Sequence, residues 1–435
     1  MRFQVMMLCA LLAACGGGGG GGYGGGGGSA PPAGTLDSTF GSGGKVVTAI
    51  GSGSNANDLG EAVALAPDGK IVVAGSSYTG ATWDFSLVRY NADGTLDTTF
   101  GSGGKVTTAI GAGEDRANAL VLAPDGKIVV AGYSYNGTKY DFALVRYNTD
   151  GTLDPTFGSG GKVVTAIGAS HDYALALALA PDGKIVVAGY SDNGADADFA
   201  LARYNANGSL DTGFGSGGKV TTPILSGVDI AFALALAPNG KIVAAGESAN
   251  GTTRNSALAL YNADGTLDTS FGTGGRVVTP FGSGYDAAFA IALAPDGRIV
   301  VAGFSDNGVT GRDFALTRYN ANGSLDTSFG SGGKVVTAIG AGNDYARALA
   351  LAPDGKIVVA GQSANGTTDD FALARYNADG SLDTTFGTGG KVVTAIGAGN
   401  DFAYALALAP DGKIVVAGSS HNGANYDFAL ARYHY

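Results

Sequence analysis

The sequence is poor in the residue types that usually build active sites. Its three histidines, His171, His421 and His434, occupy non-equivalent positions, and no Ser-His-Asp or metal-ligand spacing involves them. Only three of the 37 acidic residues are glutamates, and the predominance of aspartate is more typical of turns and loops than of helices. We therefore predict that the protein is not an enzyme, has no catalytic or metal-ligating residues and requires no cofactor.

Charge is also scarce. Charged residues make up 14% of the chain and the net charge is −11, which argues against a nucleic-acid partner. Glycine is abundant, with 76 residues, but it follows no Gly-X-Y period, and this excludes a collagen-like structure.

One stretch, Ala-Pro-Asp-Gly-Lys-Ile-Val-Val-Ala-Gly with its lead-in, organises the chain. It first appears at residues 65–75 and recurs every 57 or 58 residues, so that seven copies are present. The later copies have their turn residue at Asp125, Asp182, Asn239, Asp296, Asp354 and Asp411. A fixed period of this size indicates a repeat architecture.

Each repeat predicts four short strands. In the third copy, leucine alternates with alanine over residues 173–180, which is strand periodicity, and a Pro-Asp-Gly turn leads to the β-branched run 184–189. These segments form a hairpin of two buried strands. A third strand follows at 198–204, and a fourth is predicted at 45–50 and at its equivalents.

The repeats begin in the middle of a unit. The fourth-strand segment 45–50 precedes the first complete set of three strands, and the last set lacks a fourth strand after it. In a ring, segment 45–50 would complete the last sheet and remove its exposed edge. We predict an all-β, seven-bladed β-propeller of four-stranded antiparallel blades, in which 45–50 pairs with 427–433 and buries Val46, Val47 and Ile50.

The repeat motifs resemble those of a known family. Asp-Gly-Lys-Ile-Val-Val-Ala-Gly at 182–189, Asp-Phe-Ala-Leu-Ala-Arg-Tyr at 198–204 and Asp-Gly-Thr-Leu-Asp-Thr-Thr-Phe-Gly at 93–101 are similar to the bacterial delta-60 repeat family. The blade layout also resembles that of WD-repeat propellers, although the Trp-Asp signature is absent. The resemblance implies a propeller fold and a secreted or surface setting, and it implies no activity or site residues.

The start of the chain resembles a lipoprotein signal. A short apolar run follows Arg2 and ends in Leu-Ala-Ala-Cys at 12–15, and Gly-rich residues follow. We predict a signal peptide at 1–14, a lipidated Cys15 with a flexible tether at 15–33, and the propeller at 34–435. The resemblance implies anchoring in the bacterial outer membrane or at the cell surface. An ordinary secretion signal is the alternative.

Two sets of aspartates recur on one predicted rim. The first set precedes the first strand of every repeat and comprises Asp58, Asp115, Asp172, Asp229, Asp286, Asp344 and Asp401. The second opens the third strand at Asp84, Asp141, Asp198, Asp313, Asp370 and Asp427. They could bind cations or a basic partner, or they could cap turns, and recurrence in every blade favours capping.

Two other repeated polar features also have a structural interpretation. Arg89 and its equivalents share a face with apolar residues, so we expect each to be paired. The fourth repeat has Asn255 and Leu260 in place of the Asp and the Arg, which suggests one coupled polar network. The segment 91–97 superficially resembles a calcium loop, but an Asx-type turn is the better interpretation.

The clearest variation lies between the second and third strands. Aromatic residues cluster there at Tyr78, Trp83, Tyr133, Tyr135, Tyr140, Tyr190 and Tyr426. They are candidate anchors for a binding partner. The alternative is that they reflect sequence variation without function in exposed loops. We predict a monomeric, non-enzymatic scaffold that binds an unidentified protein or glycan at the cell surface. The alternatives are a polysaccharide-acting enzyme and a calcium-dependent adhesion module.

Overall fold

The computed structural model describes residues 31–51, 56–251, 253–306, 308 and 311–435. In these ranges the regular secondary structure consists of strands alone. The 28 strands form seven four-stranded antiparallel sheets. The first strands of neighbouring sheets contact one another all the way round, so the sheets close into a ring of seven blades. The prediction of a seven-bladed β-propeller is confirmed.

The strands of a blade follow one another along the chain, except that the outer strand of blade seven comes first. The outer strand of blade seven is β1 (Lys45–Thr48). Blades one to three contain β2 (Asp58–Leu65), β3 (Ile71–Tyr78), β4 (Trp83–Tyr90), β5 (Lys105–Thr108), β6 (Asp115–Leu122), β7 (Ile128–Tyr135), β8 (Tyr140–Tyr147), β9 (Lys162–Thr165), β10 (Asp172–Leu179), β11 (Ile185–Asp192), β12 (Ala197–Tyr204) and β13 (Lys219–Thr222). Blades four to seven contain β14 (Asp229–Leu236), β15 (Ile242–Asn250), β16 (Thr253–Tyr261), β17 (Arg276–Thr279), β18 (Asp286–Leu293), β19 (Ile299–Asp306), β20 (Arg312–Tyr319), β21 (Lys334–Thr337), β22 (Asp344–Leu351), β23 (Ile357–Ala364), β24 (Asp369–Tyr376), β25 (Lys391–Thr394), β26 (Asp401–Leu408), β27 (Lys413–His421) and β28 (Tyr426–His434).

Every first strand carries a β-bulge. In blade three the register shifts between Ala174 and Ala176, so that Leu175 is an extra residue without a partner on β11. Gly189 lies opposite the bulge, and a Cβ added there would stand 1.8 Å from the carbonyl oxygen of Tyr173. The repeated Ala-Gly of the second strand therefore has a steric reason, because only glycine leaves room for the bulge.

Ring closure follows the predicted pairing. β1 pairs antiparallel with β28, from Lys45 opposite Ala431 to Thr48 opposite Phe428. Phe40 is fully buried just before this strand. The predicted apolar face is wrong in one respect, since the side chain of Val47 is 48% exposed. Val47 lies on the outermost strand of its blade, which no further strand covers.

The core lies between adjacent blades. Phe85, Leu87 and Tyr90 of β4 have no exposed surface, and Phe85 and Leu87 belong to a buried cluster with Ala117 and Leu120 of the next blade. Every blade repeats this pattern, and from blade three to blade six the buried residues form one continuous cluster. The terminal tyrosine of the third strand, such as Tyr90, is fully buried in all seven blades.

The expected pairing of the repeated arginine is present. Nε of Arg89 donates to Oδ2 of Asp97 at 2.7 Å, Nζ of Lys70 lies 3.0 Å from the same oxygen, and the guanidinium lies over the ring of Phe100. Burial opposes ionisation of Asp97, but hydrogen bonds from Thr99, Lys70 and Arg89 hold its pKa well below the usual range.

The suggestion of one coupled network is not supported by the geometry. Asp84 pairs in register with Ser77, whereas Arg89 pairs with Val72 near the other end of the strand. Arg89 also donates to the backbone oxygen of Thr149 in the next blade. The two residues that blade four lacks therefore belong to contacts at opposite ends of the third strand.

Candidate functional site

The two ends of the strands form two faces of the ring. One face carries the turns 66–70 and 91–104 and their equivalents, where Lys70 contacts Asp97. The other carries the turns 79–82, the loops 109–114 and their equivalents, and there Nζ of Lys139 donates to the backbone oxygen of Gly168 at 3.1 Å. We call the first the invariant face and the second the variable face.

The seven aspartates that precede the first strands do not form an exposed rim. Asp58, Asp115, Asp172, Asp229, Asp286, Asp344 and Asp401 have no exposed surface. Oδ2 of Asp58, for example, accepts a hydrogen bond from the backbone nitrogen of Ile50 at 2.7 Å, and equivalent bonds recur in the other blades. Burial raises the pKa of Asp58. These carboxylates hold the loop backbone between blades.

The second set of aspartates also faces the protein. Asp84, Asp141, Asp313, Asp370 and Asp427 are buried, and Asp198 is half-buried. In four blades an asparagine of the adjacent turn donates to this carboxylate, as Asn136 does to Asp141 at 2.7 Å. The calcium-like loops are Asx turns, since Oδ1 of Asp93 accepts from the backbone nitrogen of Thr95. No group of three or more His, Cys, Asp or Glu side chains in the described ranges is arranged to hold a metal ion.

The predicted aromatic anchors lie at strand ends and not in long loops. The connections between second and third strands are short turns, such as 79–82, so Tyr78, Trp83, Tyr133, Tyr135, Tyr140, Tyr190 and Tyr426 all belong to strands and are half-buried. Most pack against one another or against neighbours. The ring of Tyr133 lies 4.8 Å from that of Tyr173, which stacks on Tyr190, and burial raises the pKa of Tyr133 to about 12.

A salt bridge supports this aromatic cluster. Nε of Arg116 donates to Oε1 of Glu114 at 2.6 Å, and its guanidinium carbon lies 3.5 Å from the centre of the Trp83 ring. The hydroxyl of Tyr140 donates to Oε2 of Glu114 at 2.9 Å. Glu114, Arg116 and Tyr140 belong to blade two, and the contact of Arg116 with Trp83 crosses the seam to blade one.

Comparison of the seven blades, position by position, separates scaffold from candidate site. The residues equivalent to Asp58, Tyr90 and Phe100 are the same in every blade. By contrast, five positions differ strongly between blades. Three of them are the residue before the first strand and the second and fourth residues of that strand. The other two are the second-strand residue that pairs with the second residue of the first strand, and the residue before the third-strand aspartate. The last position reads Trp83, Tyr140, Ala197, Arg254, Arg312, Asp369 and Tyr426.

A cavity of about 410 Å³ lies on the variable face between blades five and six. Nine of its ten lining residues occupy these five positions: Tyr285, Phe289, Phe304, Arg312, Asn343, Tyr345, Arg347, Gln362 and Asp369. Ala364 completes the lining. The cavity is therefore lined almost entirely by positions that differ between blades.

A buried glutamate fixes one wall of the cavity. Glu247 is 1% exposed, and its carboxylate contacts the guanidinium of Arg254 and the hydroxyl of Tyr285. Burial raises the pKa of Glu247, while Tyr285 and Arg254 favour its charged form. Because both carboxylate oxygens are engaged, Glu247 orients the Tyr285 ring and is not itself available to a ligand.

Arg312 lies among aromatic rings at the mouth of the cavity. Its guanidinium carbon is 4.8 Å from the centre of the Phe304 ring, 5.1 Å from that of Tyr285 and 5.4 Å from that of Tyr345. Nη1 donates to the hydroxyl of Tyr345 at 2.7 Å, and Nε lies 3.8 Å from Oδ2 of Asp306. Contacts on several sides hold the guanidinium in one orientation.

Arg347 is the extra residue of the β22 bulge and also lines the cavity. Its guanidinium carbon lies 4.5 Å from the Phe289 ring centre, and Nε donates to Oε1 of Gln362 at 3.3 Å. Burial lowers the pKa of Arg347. Among the described residues no carboxylate approaches this guanidinium within 4.0 Å. Asp369 also lines the cavity, and burial together with Asp370 raises its pKa.

Tyr345 and Arg347 were not predicted, because the predicted anchors came only from the region between the second and third strands. Tyr345 and Arg347 lie within a first strand, where alternation identifies a strand but does not mark a binding residue. Alignment of the seven repeats would have revealed them, since the equivalents of Arg347 are Glu61, Asn118, Leu175, Phe232, Phe289 and Tyr404.

The closed ring of seven four-stranded blades defines this protein as a β-propeller. A family model described as a domain of unknown function (DUF5122) beta-propeller matches residues 66–100, 123–157, 180–214, 237–271, 294–329, 352–386 and 409–434, and the chain belongs to this family. The predicted membership of a β-propeller repeat family is confirmed at this level. No curated protein matches the sequence.

Solved structures with similar folds share little sequence. A protein of unknown function from Dyadobacter fermentans DSM 18053 aligns with a TM-score of 0.52 at 13% identity, covering 90% of this chain and 97% of that one. An ulvan lyase of polysaccharide lyase family PL25, bound to -[GlcA(1-4)Rha3S]-, aligns with a TM-score of 0.51 at 14% identity, covering 86% and 94%. At such identities the likeness shows the fold alone. No element of the described ranges is a helix able to span a membrane.

Proposed function

We propose that this propeller is a non-enzymatic binding scaffold, held at the bacterial outer membrane or cell surface by a lipid on Cys15, and that it binds a glycan or protein through its variable face. One observation carries the proposal: nine of the ten residues that line the cavity occupy positions that differ between blades. Cys15 lies outside the described residues, and the anchor rests on the sequence of residues 12–15.

The cavity residues are not needed to build a blade. Blade one has Leu59 and Ser76 where blade six has Tyr345 and Gln362, yet both blades form the same four-stranded sheet. The arginine and aromatic side chains of the cavity therefore exceed what the fold requires. Aromatic and arginine side chains in a partly desolvated pocket are the residues that most often dominate binding energy.

A glycan array tests the scaffold function. The full protein is applied to an array of acidic and neutral polysaccharides, and the bound glycans are then incubated with the protein and analysed for cleavage. We expect retention of at least one glycan without any cleavage product. Release of unsaturated or hydrolysed fragments that depends on cavity residues would instead support the polysaccharide-acting enzyme.

Matched variants locate the surface. Arg312→Ala with Tyr345→Ala removes two cavity residues, whereas Arg298→Ala removes an exposed arginine on the invariant face of the same blade. We expect the first variant to lose retention and the second to keep it. Equal binding by all three proteins would refute the variable face as the binding surface.

Cell fractionation tests the proposed membrane localisation. We expect the native protein to incorporate labelled fatty acid and to sediment with membranes, and Cys15→Ala to be released into the soluble fraction. A native protein without labelled fatty acid, or a variant that stays in the membrane fraction, would contradict the lipid anchor.

A further inference from the structure

We propose that the cavity between blades five and six binds a carboxylate-bearing sugar of the hexuronate type. Arg347 would bind the carboxylate, the aromatic walls would contact the sugar ring, and Asp369 would accept a hydrogen bond from a ring hydroxyl. The inference rests on the proposed function and adds the chemical class of the ligand.

Arg347 would supply the anion-binding group of the cavity. Only Nε of its guanidinium donates a hydrogen bond to the described residues, and that bond goes to the neutral amide of Gln362. The other guanidinium groups of the site are compensated, since Arg254 contacts Glu247 and Arg312 faces Asp306. Asp369 of the same cavity acts on Arg347 electrostatically, but no carboxylate of the described residues forms a hydrogen bond with it. A partly desolvated guanidinium with free donors gains most from a carboxylate, which it can bind through two parallel hydrogen bonds.

The aromatic walls match a ring with apolar faces. Phe289 and Phe304 are buried, and their ring centres are 5.3 Å apart, while Tyr345 packs edge-on against Phe304 at 5.2 Å. These rings and the two arginines form a rigid wall because each guanidinium lies against an aromatic face. Tyr285 and Tyr345, which pack on Phe304, are only half-buried. The C–H faces of a pyranose are apolar and can pack on these two rings, as ligands do on the apolar linings of small-ligand pockets.

The opposite polar group selects a hydroxylated ligand. Asp369 accepts no hydrogen bond from the described residues, although burial penalises its charge. A carboxylate can only accept hydrogen bonds when ionised, so Asp369 can accept one from a hydroxyl group of the ligand. A hexuronate supplies both groups: an anion for Arg347 and hydroxyl donors for Asp369. A carboxylate without donor groups, such as acetate, satisfies only the arginine.

The size of the cavity agrees with a single hexuronate residue as the ligand. Its volume of about 410 Å³ falls in the range of pockets that hold small ligands. It is one recess on a broad face, which suits one residue of a longer acidic chain, with the flanking residues passing over the variable face.

Calorimetric titration of the full protein with a galacturonate trisaccharide tests the inference. The comparison ligands are the methyl ester of that trisaccharide, neutral maltotriose and an acetylated tripeptide with a free C-terminal carboxylate. We expect binding of the trisaccharide to be about tenfold or more tighter than that of its methyl ester or of maltotriose, because esterification leaves Arg347 without an anion. Equal affinity for the ester, or tighter binding of the tripeptide, would overturn the inference.

Protein variants complete the test. Arg347→Gln should weaken binding of the trisaccharide by about tenfold or more and remove the discrimination against the ester, whereas Arg298→Gln should change neither. Thermal melting confirms that each variant is folded. A native protein that ignores the trisaccharide would refute the hexuronate ligand but not the scaffold, which the glycan array tests separately with other sugars.

Discussion

Gly361 lies directly beneath the carbonyl oxygen of Tyr345, so that a Cβ added to the glycine would stand 1.8 Å from that oxygen. The contact exists because β22 bulges at Arg347, between Ala346 and Ala348. The glycine of β23 thereby permits the bulge that places Arg347 and Tyr345 on the cavity wall.

Gly361→Ala should therefore impair the site through the backbone. We expect a loss of stability of about 1–3 kcal/mol, since the strand must shift to admit the methyl group, and loss of binding to the galacturonate trisaccharide. Chemical denaturation and calorimetric titration measure the two effects.

Blade three supplies the control for this substitution. Gly189→Ala creates the same 1.8 Å conflict with the carbonyl oxygen of Tyr173, away from the cavity. It should destabilise the protein to a similar extent and leave binding intact. If both variants lose binding equally, the loss reflects general damage to the ring and not the bulge at Arg347.

Asp154 should make stability depend on pH. Burial opposes its ionisation, but Lys127, Thr156 and Arg146 favour the charged form and hold its pKa well below the usual range. Because the folded-state pKa is depressed, this contribution is fully present above the unfolded value of about 4 and is lost as pH falls below it.

Asp154→Asn should thus lower the unfolding free energy by about 2–3 kcal/mol at pH 7 and by progressively less below pH 4, because the two cations lose their shared partner only where the native group is charged. Urea denaturation at several pH values measures the difference, with Asp125→Asn on the exposed neighbouring turn as the control. A difference that does not shrink towards low pH would contradict the assignment.

Removal of the ring-closing segment should destabilise the whole propeller. Deleting residues 34–50 removes β1, the fully buried Phe40 and Asp37, whose carboxylate contacts Lys413 and Arg432. Burial of one large apolar side chain is worth about 1.5–3 kcal/mol, and two cations would lose their partner. We expect a far lower melting temperature or aggregation through the exposed edge of β28.

Deletion of residues 16–28 is the control, and it should leave melting unchanged. A truncated protein lacking 34–50 that melts like the native protein would show that closure through β1 contributes nothing to stability.

The fold could be predicted because its determinants are local and repeated. Alternation in residues 173–180, the Pro181-Asp182-Gly183 turn and the misplaced fourth strand at 45–50 together specified the strands, their order and closure. Val47 was misjudged because a β-branched run does not indicate which face of an outer strand another element covers.

The candidate site could be predicted only in part. The sequence drew attention to Trp83 and Tyr140, but it could not show that Arg116 lies over Trp83 across a seam between blades. Tyr345 and Arg347 are separated from Arg312 along the chain and meet it only because neighbouring blades pack side by side. Such convergence depends on blade geometry, which no local pattern encodes.

Hydrogen–deuterium exchange of the full protein, with and without saturating galacturonate trisaccharide, tests most directly the claim that ligands bind to the variable face between blades five and six. The account predicts slower exchange in peptides that contain 304–306, 312, 343–347 and 362–369, and no change in the turns of the invariant face, such as 296–298 and 354–356. Protection centred on those turns, or spread evenly over all seven blades, would contradict it.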